Sequence, residues 1–165
     1  GYQFYAFTAN DTYELFSKYV YASEPQYWGG EGDPDNLSRL QAEDDAASAA
    51  LGSAWHMPMA DEMWALMEQC DWEWDATRKG FVLTGRYDYS GNSVFLPAGG
   101  ICFGMINQDI SELGESINYL SSELCTPSQW HYGSNYINCI SDYNGSPSFS
   151  SVSRYAGMNV RAVRY

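Results

Sequence analysis

Two histidines, His56 and His131, and four cysteines, Cys70, Cys102, Cys125 and Cys139, are the residues of this chain best suited to nucleophilic or metal-ligating chemistry. No two cysteines stand in C-x-x-C spacing, so a tetrahedral zinc site has little to build on. The cysteines read equally as one or two disulfides of an exported protein or as free buried thiols. A Ser-His-Asp set can be counted out from His131 and Asp142, but no nucleophile elbow accompanies it. His56 reads as a residue that packs or hydrogen-bonds locally. Two acidic clusters, Glu43-Asp44-Asp45 and Glu31/Asp33/Asp35, are candidate oxygen ligands for a structural Ca²⁺, or else solvated faces and helix-start acids. These residues assign no catalytic group and require no cofactor, and the expectation is a protein that is not an enzyme.

Recognition chemistry is the stronger signal. Trp130, His131, Tyr132, Asn135, Tyr136, Asn138, Ile140, Asp142, Tyr143, Phe149, Ser151, Ser153 and Tyr155 form a candidate ligand-binding face within residues 124–158. Tyr and Trp offer large contact area at small entropic cost, and Ser, Asn and Asp offer adaptable hydrogen bonds, as in antibody paratopes. Such a near-neutral aromatic face suits a protein or a glycan ligand equally.

Composition narrows the partners. Against 8 Lys plus Arg stand 21 Asp plus Glu, a formal charge of -13, which repels phosphate backbones and anionic lipid headgroups. A nucleic-acid partner is thereby excluded, and no apolar run reaches the roughly 20 residues that insertion into a membrane requires. With 45% hydrophobic residues and 165 residues in all, the chain suits a single folded domain spanning 1–165.

The elements that must position the face are uneven in clarity. Tyr2–Thr8 suggests a strand, and Asn10 or Asp11 a cap for a short helix through Phe16. Ala22–Asn36, rich in Pro, Gly and acids, reads as a long loop. Leu37–Leu51 predicts an alanine-rich helix ended at Gly52. Pro58 marks the start of the clearest helix, whose Met63, Leu66, Met67 and Cys70 share one face as core. Trp72 and Trp74 then alternate with acids into a hairpin turning at Lys79-Gly80, and Val94–Leu96, bounded by Pro97, is a buried strand after a turn at Ser90-Gly91-Asn92. From Ile117 onward short strands joined at Asn144-Gly145 and Ala156-Gly157 are expected, the last of them the most regular, over 160–165. The fold class is α+β, helices first and antiparallel sheet after.

Several blocks carry a resemblance. EDDAASAALGSAWHMPMADEMWALMEQCDW (Glu43–Trp72), GNSVFLPAGG (Gly91–Gly100), YLSS (Tyr119–Ser122) and RYAGMNVRAVR (Arg154–Arg164) follow one another in this order. Together they are similar to the motif series of the Fibrobacter succinogenes major paralogous domain family, abundant in surface proteins of gut Bacteroidetes. His56 stands where that series has Arg, Met59 where it has a capping Thr, Met63 where it has Trp, and Leu120 where it has the Trp of Y-W-S-S. The resemblance implies a C-type-lectin-like fold, two helices packed on antiparallel sheets with long irregular loops. It also implies an exported module, the C-terminal part of a longer protein at an extracellular or outer-membrane surface, with a phage receptor-binding or tail-fibre protein as the alternative setting.

The same family supplies targets of diversity-generating retroelements, in which adenine-directed mutagenesis varies a C-terminal stretch. Residues 124–158 resemble such a variable region: no Lys or Glu follows Glu123, while Asn, Tyr, Ser, Asp and Ile, all reachable from an AAC codon, abound. Gln129, Trp130 and Met158 would then be framework codons. The fold is also shared with formylglycine-generating enzymes, for which Cys125 and Cys139 are the only thiol pair to consider. Among basic residues only His131 lies near them to lower a thiol pKa. The E-P-N, Q-P-D and W-N-D motifs of calcium-dependent sugar binding are absent. Trp55, Leu66, Trp72, Phe95 and Leu96 are expected as framework, each stabilising by roughly 2 kcal/mol when buried.

Overall fold

A computed structural model of the chain describes residues 4–5, 15–103, 110–127 and 133–165. The architecture is mixed α+β: two helices, two three-stranded antiparallel sheets and two two-stranded ones among the described residues. No helix among them is long and apolar enough to cross a membrane.

Strands β1 (Phe4–Tyr5) and β2 (Leu15–Phe16) pair antiparallel. Leu15 and Phe16 are therefore extended, where a helix was expected to end; the remainder of that expected helix lies outside the described residues. The segment after β2 is irregular, with one 3-10 turn at Pro25–Tyr27. Its main chain is tied down by Asp35, which accepts the Tyr19, Val20 and Leu37 N–H groups at 2.7, 3.0 and 3.2 Å.

Helix α1 is shorter than the alanine run predicts, Ala46–Leu51, and ends at Gly52 with φ +91°. Asp45 caps it through the Ser48 N–H and accepts the Met57 N–H with its other oxygen. Upstream, pairing with a later strand wins over helix formation: Leu40 N–H reaches the Ser122 carbonyl, and Leu124 N–H reaches that of Ser38. Asp44 faces Lys18 at 2.7 Å and the Tyr19 hydroxyl at 2.5 Å. Burial opposes its charge, but those hydrogen bonds hold the Asp44 carboxyl below the ordinary carboxylate range.

After β3 (Trp55–His56), helix α2 covers Ala60–Gln69. Pro58 lies just outside it, its carbonyl accepting the Ser122 N–H at 2.8 Å. Met59 at the N-cap contributes no side-chain cap, so carboxylates from elsewhere serve: Glu62 accepts the Met59 N–H at 2.8 Å and Glu123 the Ala60 N–H at 2.9 Å. The expected core stripe forms, with Met63 and Cys70 buried and Leu66 and Met67 packed beside them. Trp64, next to Met63, points outward.

The first large sheet runs β4 (Cys70–Asp75), β5 (Gly80–Gly85), β6 (Ser93–Pro97), with the hairpin where the sequence predicts it and Lys79 at φ +57°. Trp72 and Trp74 share a face with Leu83, Phe81, Val94 and Leu96, while Asp71 and Glu73 point away. Arg78 lies over the Phe95 ring, 4.4 Å from its centroid.

The second sheet runs β7 (Asn118–Leu124), β8 (Tyr136–Tyr143), β9 (Ser146–Ser153). Its middle strand is covered on both sides, while β9 exposes Ser146, Ser148 and Ser150. One face puts Tyr119, Ile140 and Phe149 into the core shared with α2 and the first sheet; the other puts Leu124, Ile137 and Val152 against Tyr19, Leu37 and Leu40. A bulge interrupts β7 between Leu120 and Leu124.

The closing strand β10 is only Val163–Arg164, paired with β3. The regular strand expected over 160–165 is cut short because Asn159 is held elsewhere: its backbone pairs with Asn118 and Leu120, and its amide donates to the Asn118 and Gly100 carbonyls at 3.0 and 3.3 Å. A Cβ at Gly99 would sit 2.1 Å from the Asn159 side-chain oxygen, which explains the glycine there. The four sequence blocks thus touch one another: Pro58 with Ser122, Leu120 with Asn159, Gly99 with Asn159.

Candidate functional site

The site must be built from the part of 124–158 that side chains leave accessible. Trp130, His131 and Tyr132 lie outside the described residues, and of Tyr143 only the backbone, in β8, is described.

Strand β8 is the middle of a sheet packed on both faces, so its side chains alternate between two interiors rather than between core and water. Two predicted binding residues are corrected on that ground. Ile140 is 1% exposed in the core beside Tyr119 and Met63, and Asn138 is 7% exposed. The Asn138 amide donates to the Leu124 and Glu123 carbonyls at 3.1 and 3.2 Å, and its oxygen accepts from the Cys125 thiol at 3.4 Å. Asp142 has structural work as well: one oxygen accepts the Ile117 N–H at 2.6 Å and the other that of Gly145 at 3.3 Å. Asn135 is half-buried, and its side-chain oxygen is buried without a hydrogen bond among the described residues.

Phe149 is half-buried in β9 and meets the half-exposed Trp64 of α2 edge-on, ring centroids 5.6 Å apart. Farther along the same face the register sets Tyr136 opposite Ser153, with Ser151 two residues before it. All three are partly accessible. Tyr155, just past β9, is 36% exposed and meets the ring of Phe103 at 6.5 Å. Phe103 is a residue the sequence reading missed; an isolated aromatic beside Gly104, outside any periodic element, was the available signal.

The backbone under this group is tied to distant segments of the chain. Arg154, between Ser153 and Tyr155 in sequence, is 7% exposed. Its guanidinium donates to the carbonyls of Tyr19 (2.8 Å), Ser134 (2.9 Å) and Lys18 (3.1 Å) and lies 3.9 Å from the Phe16 ring centroid. Glu24 completes the tie, accepting the Ser134 N–H at 2.6 Å and its hydroxyl at 2.7 Å.

The thiols sit beneath. Cys70, Cys125 and Cys139 are buried thiols in no disulfide. Burial pushes the Cys125 thiol up to about 11 and the Cys139 thiol up to about 12, with the neighbouring Cys125 adding to the latter. Both are protonated at neutral pH, the opposite of a tuned nucleophile.

His56 is buried, its Nε2 2.9 Å from Glu62 and its ring stacked on Tyr165 at 4.2 Å. Among the described residues no three His, Cys, Asp or Glu side chains gather as a metal site. In the two acidic clusters Asp35, Asp44 and Asp45 are engaged by the backbone, Lys18 and Tyr19 as described above. A cavity of about 370 Å³ lies elsewhere, between α2 and the first sheet, lined by Leu66, Leu83 and Val94 and by none of the predicted face residues.

Comparison of the chain with protein-family models, with curated proteins and with solved structures returns no match.

Proposed function

We propose that this chain is a non-enzymatic recognition module of C-type-lectin-like architecture, displayed at a cell surface, whose ligand face is the accessible part of 124–158. Tyr136, Ser151, Ser153 and Tyr155, joined by Phe103, form the described portion of that face. The motif series shared with the Fibrobacter succinogenes major paralogous domain supports the family setting, and the codon-compatible composition of 124–158 supports diversification by a retroelement.

One observation carries the reading. Accessible Ser153 and Tyr155 flank a buried arginine that fixes three backbone carbonyls, so adaptable side chains stand on a backbone that binding does not have to order. The protonated, buried thiols Cys125 and Cys139 support the non-enzymatic half of the proposal.

The test pairs binding with stability. Screening of displayed peptides and a glycan array should yield a ligand that Tyr136→Ala/Tyr155→Ala loses, while the melting midpoint stays within a few degrees of the parent, as about 0.5 kcal/mol per accessible side chain implies. A large drop in the melting midpoint would make these tyrosines core, and unchanged binding would move the face elsewhere.

A further inference from the structure

Among the described residues strand β9 ends its sheet, pairing with β8 from Ser146 to Ser153 without a bulge. The Asn144-Gly145 loop, with φ +53° and +76°, has the signature of a two-residue hairpin turn. In such a hairpin the flanking pair, Tyr143 and Ser146, exchanges ladder hydrogen bonds, so Ser148, Ser150 and Val152 also face β8 with their backbone groups. Pro147, Phe149, Ser151 and Ser153 then direct theirs away. The phase is consistent with Pro147, whose missing N–H is harmless at an outward position, and with the Arg154 N–H, which bonds inward to the Asn135 carbonyl.

The Ser153 carbonyl is taken by the Ala156 N–H. Among the described residues the N–H groups of Phe149, Ser151 and Ser153 and the carbonyls of Phe149 and Ser151 have no backbone partner. Edges of this kind are ordinarily blunted by a charge, a proline, a bulge, shortness or a covering element, and Pro147 is such a device at the outward position before Phe149. Here no charged residue occurs from Tyr143 to Ser153, in a chain of net charge -13.

We propose that Phe149–Ser153 is a docking edge at which an extended, uncharged or basic segment of a partner polypeptide adds as a fourth strand beside β9. This rests on the recognition reading above and gives its ligand a class. Donors and acceptors repeating at strand spacing are matched several at a time only by another extended main chain, whereas glycan hydroxyls have no such period. The half-buried side chains of Phe149, Ser151 and Ser153 line one face, with the Ser151 hydroxyl bonded to the Cys125 thiol, and the half-exposed Trp64 beside Phe149 offers an apolar seat for a partner side chain. A second copy of the chain is disfavoured, because two bodies of charge -13 repel on approach.

The test pans a displayed library of random peptides of about nine residues against the intact chain, then titrates the best binders, resynthesised, against three proteins. Ser151→Pro removes one outward N–H and should bind about tenfold or more weaker than Ser151→Ala, which loses the hydroxyl but keeps that N–H. N-methylation of the peptide at alternate residues should destroy binding in one phase and spare it in the other; this arm decides the matter if Ser151→Pro does not fold. The proposal is overturned by an absence of enriched peptides, by binders indifferent to both Ser151→Pro and N-methylation, or by sedimentation showing self-pairing through β9 as the only association. Peptides lost to Tyr136→Ala/Tyr155→Ala but indifferent to Ser151→Pro would sink strand addition and leave the recognition face standing. Failure of every peptide and every arrayed glycan to bind would sink both.

Discussion

The two three-stranded sheets of this molecule are built from similar lengths of chain and read very differently. In the sheet β4-β5-β6 one face is core and the other meets water, so Trp72 and Trp74 alternate with Asp71 and Glu73. In the sheet β7-β8-β9 the middle strand is covered on both faces, so that Ile137, Asn138, Cys139 and Ile140 are buried in succession, while the outer strand β9 exposes Ser146, Ser148 and Ser150. Polarity marks exposure only where one side of a strand is wet. In the middle strand of the second sheet a polar residue is buried and satisfied instead, as Asn138 is by two carbonyls and a thiol.

Three measurements test this contrast, the largest effect first. Arg154→Ala removes a buried cation that three carbonyls share, and should cost about 3 kcal/mol or more in denaturant unfolding. A cost below about 1 kcal/mol would mean that the frame under the face is not held from this point. Ile140→Ala should cost about 2–5 kcal/mol, against less than about 1 kcal/mol for Val82→Ala on the wetter face of the first sheet. Equal costs would erase the distinction between a strand covered on both faces and one covered on a single face.

The smallest effect is alkaline. Folding raises the Cys139 thiol to about 12 from an ordinary value near 9.0, which favours the neutral form. Its contribution is therefore intact below about pH 9 and is lost as pH climbs from there toward 12. Between pH 7 and pH 10 the parent should lose about 1 kcal/mol more than Cys139→Ala does, in unfolding measured at both values. An identical pH dependence in the two proteins would place that thiol in contact with solvent.

Much of the first region was legible in the residues. The stripe Met63, Leu66, Met67, Cys70 gave α2 its buried face, and the Trp72/Trp74 alternation with the Lys79-Gly80 turn gave the hairpin. Helix α1 was overextended because propensity favours the alanine run, while the pairing of Leu40 and Leu124 with distant main chain, a tertiary competitor, is invisible locally. In the second region residue type indicated recognition chemistry but not which strand face each residue would occupy. Ile140 and Asn138 were drawn into the candidate face by composition and removed by register. Arg154 was legible only as part of a motif; its carbonyl partners are more than a hundred residues away at Tyr19 and Lys18.

The most direct test of a diversified face on a fixed frame is sequencing of this gene across a natural population of its source. The account requires amino-acid changes to concentrate at Tyr136, Ser151, Ser153 and Tyr155, at sites where a template repeat carries adenine, with Ile140, Asn138 and Arg154 constant between them. Changes spread evenly along the gene, or falling on Ile140 and Arg154 as often as on Tyr155, would contradict it.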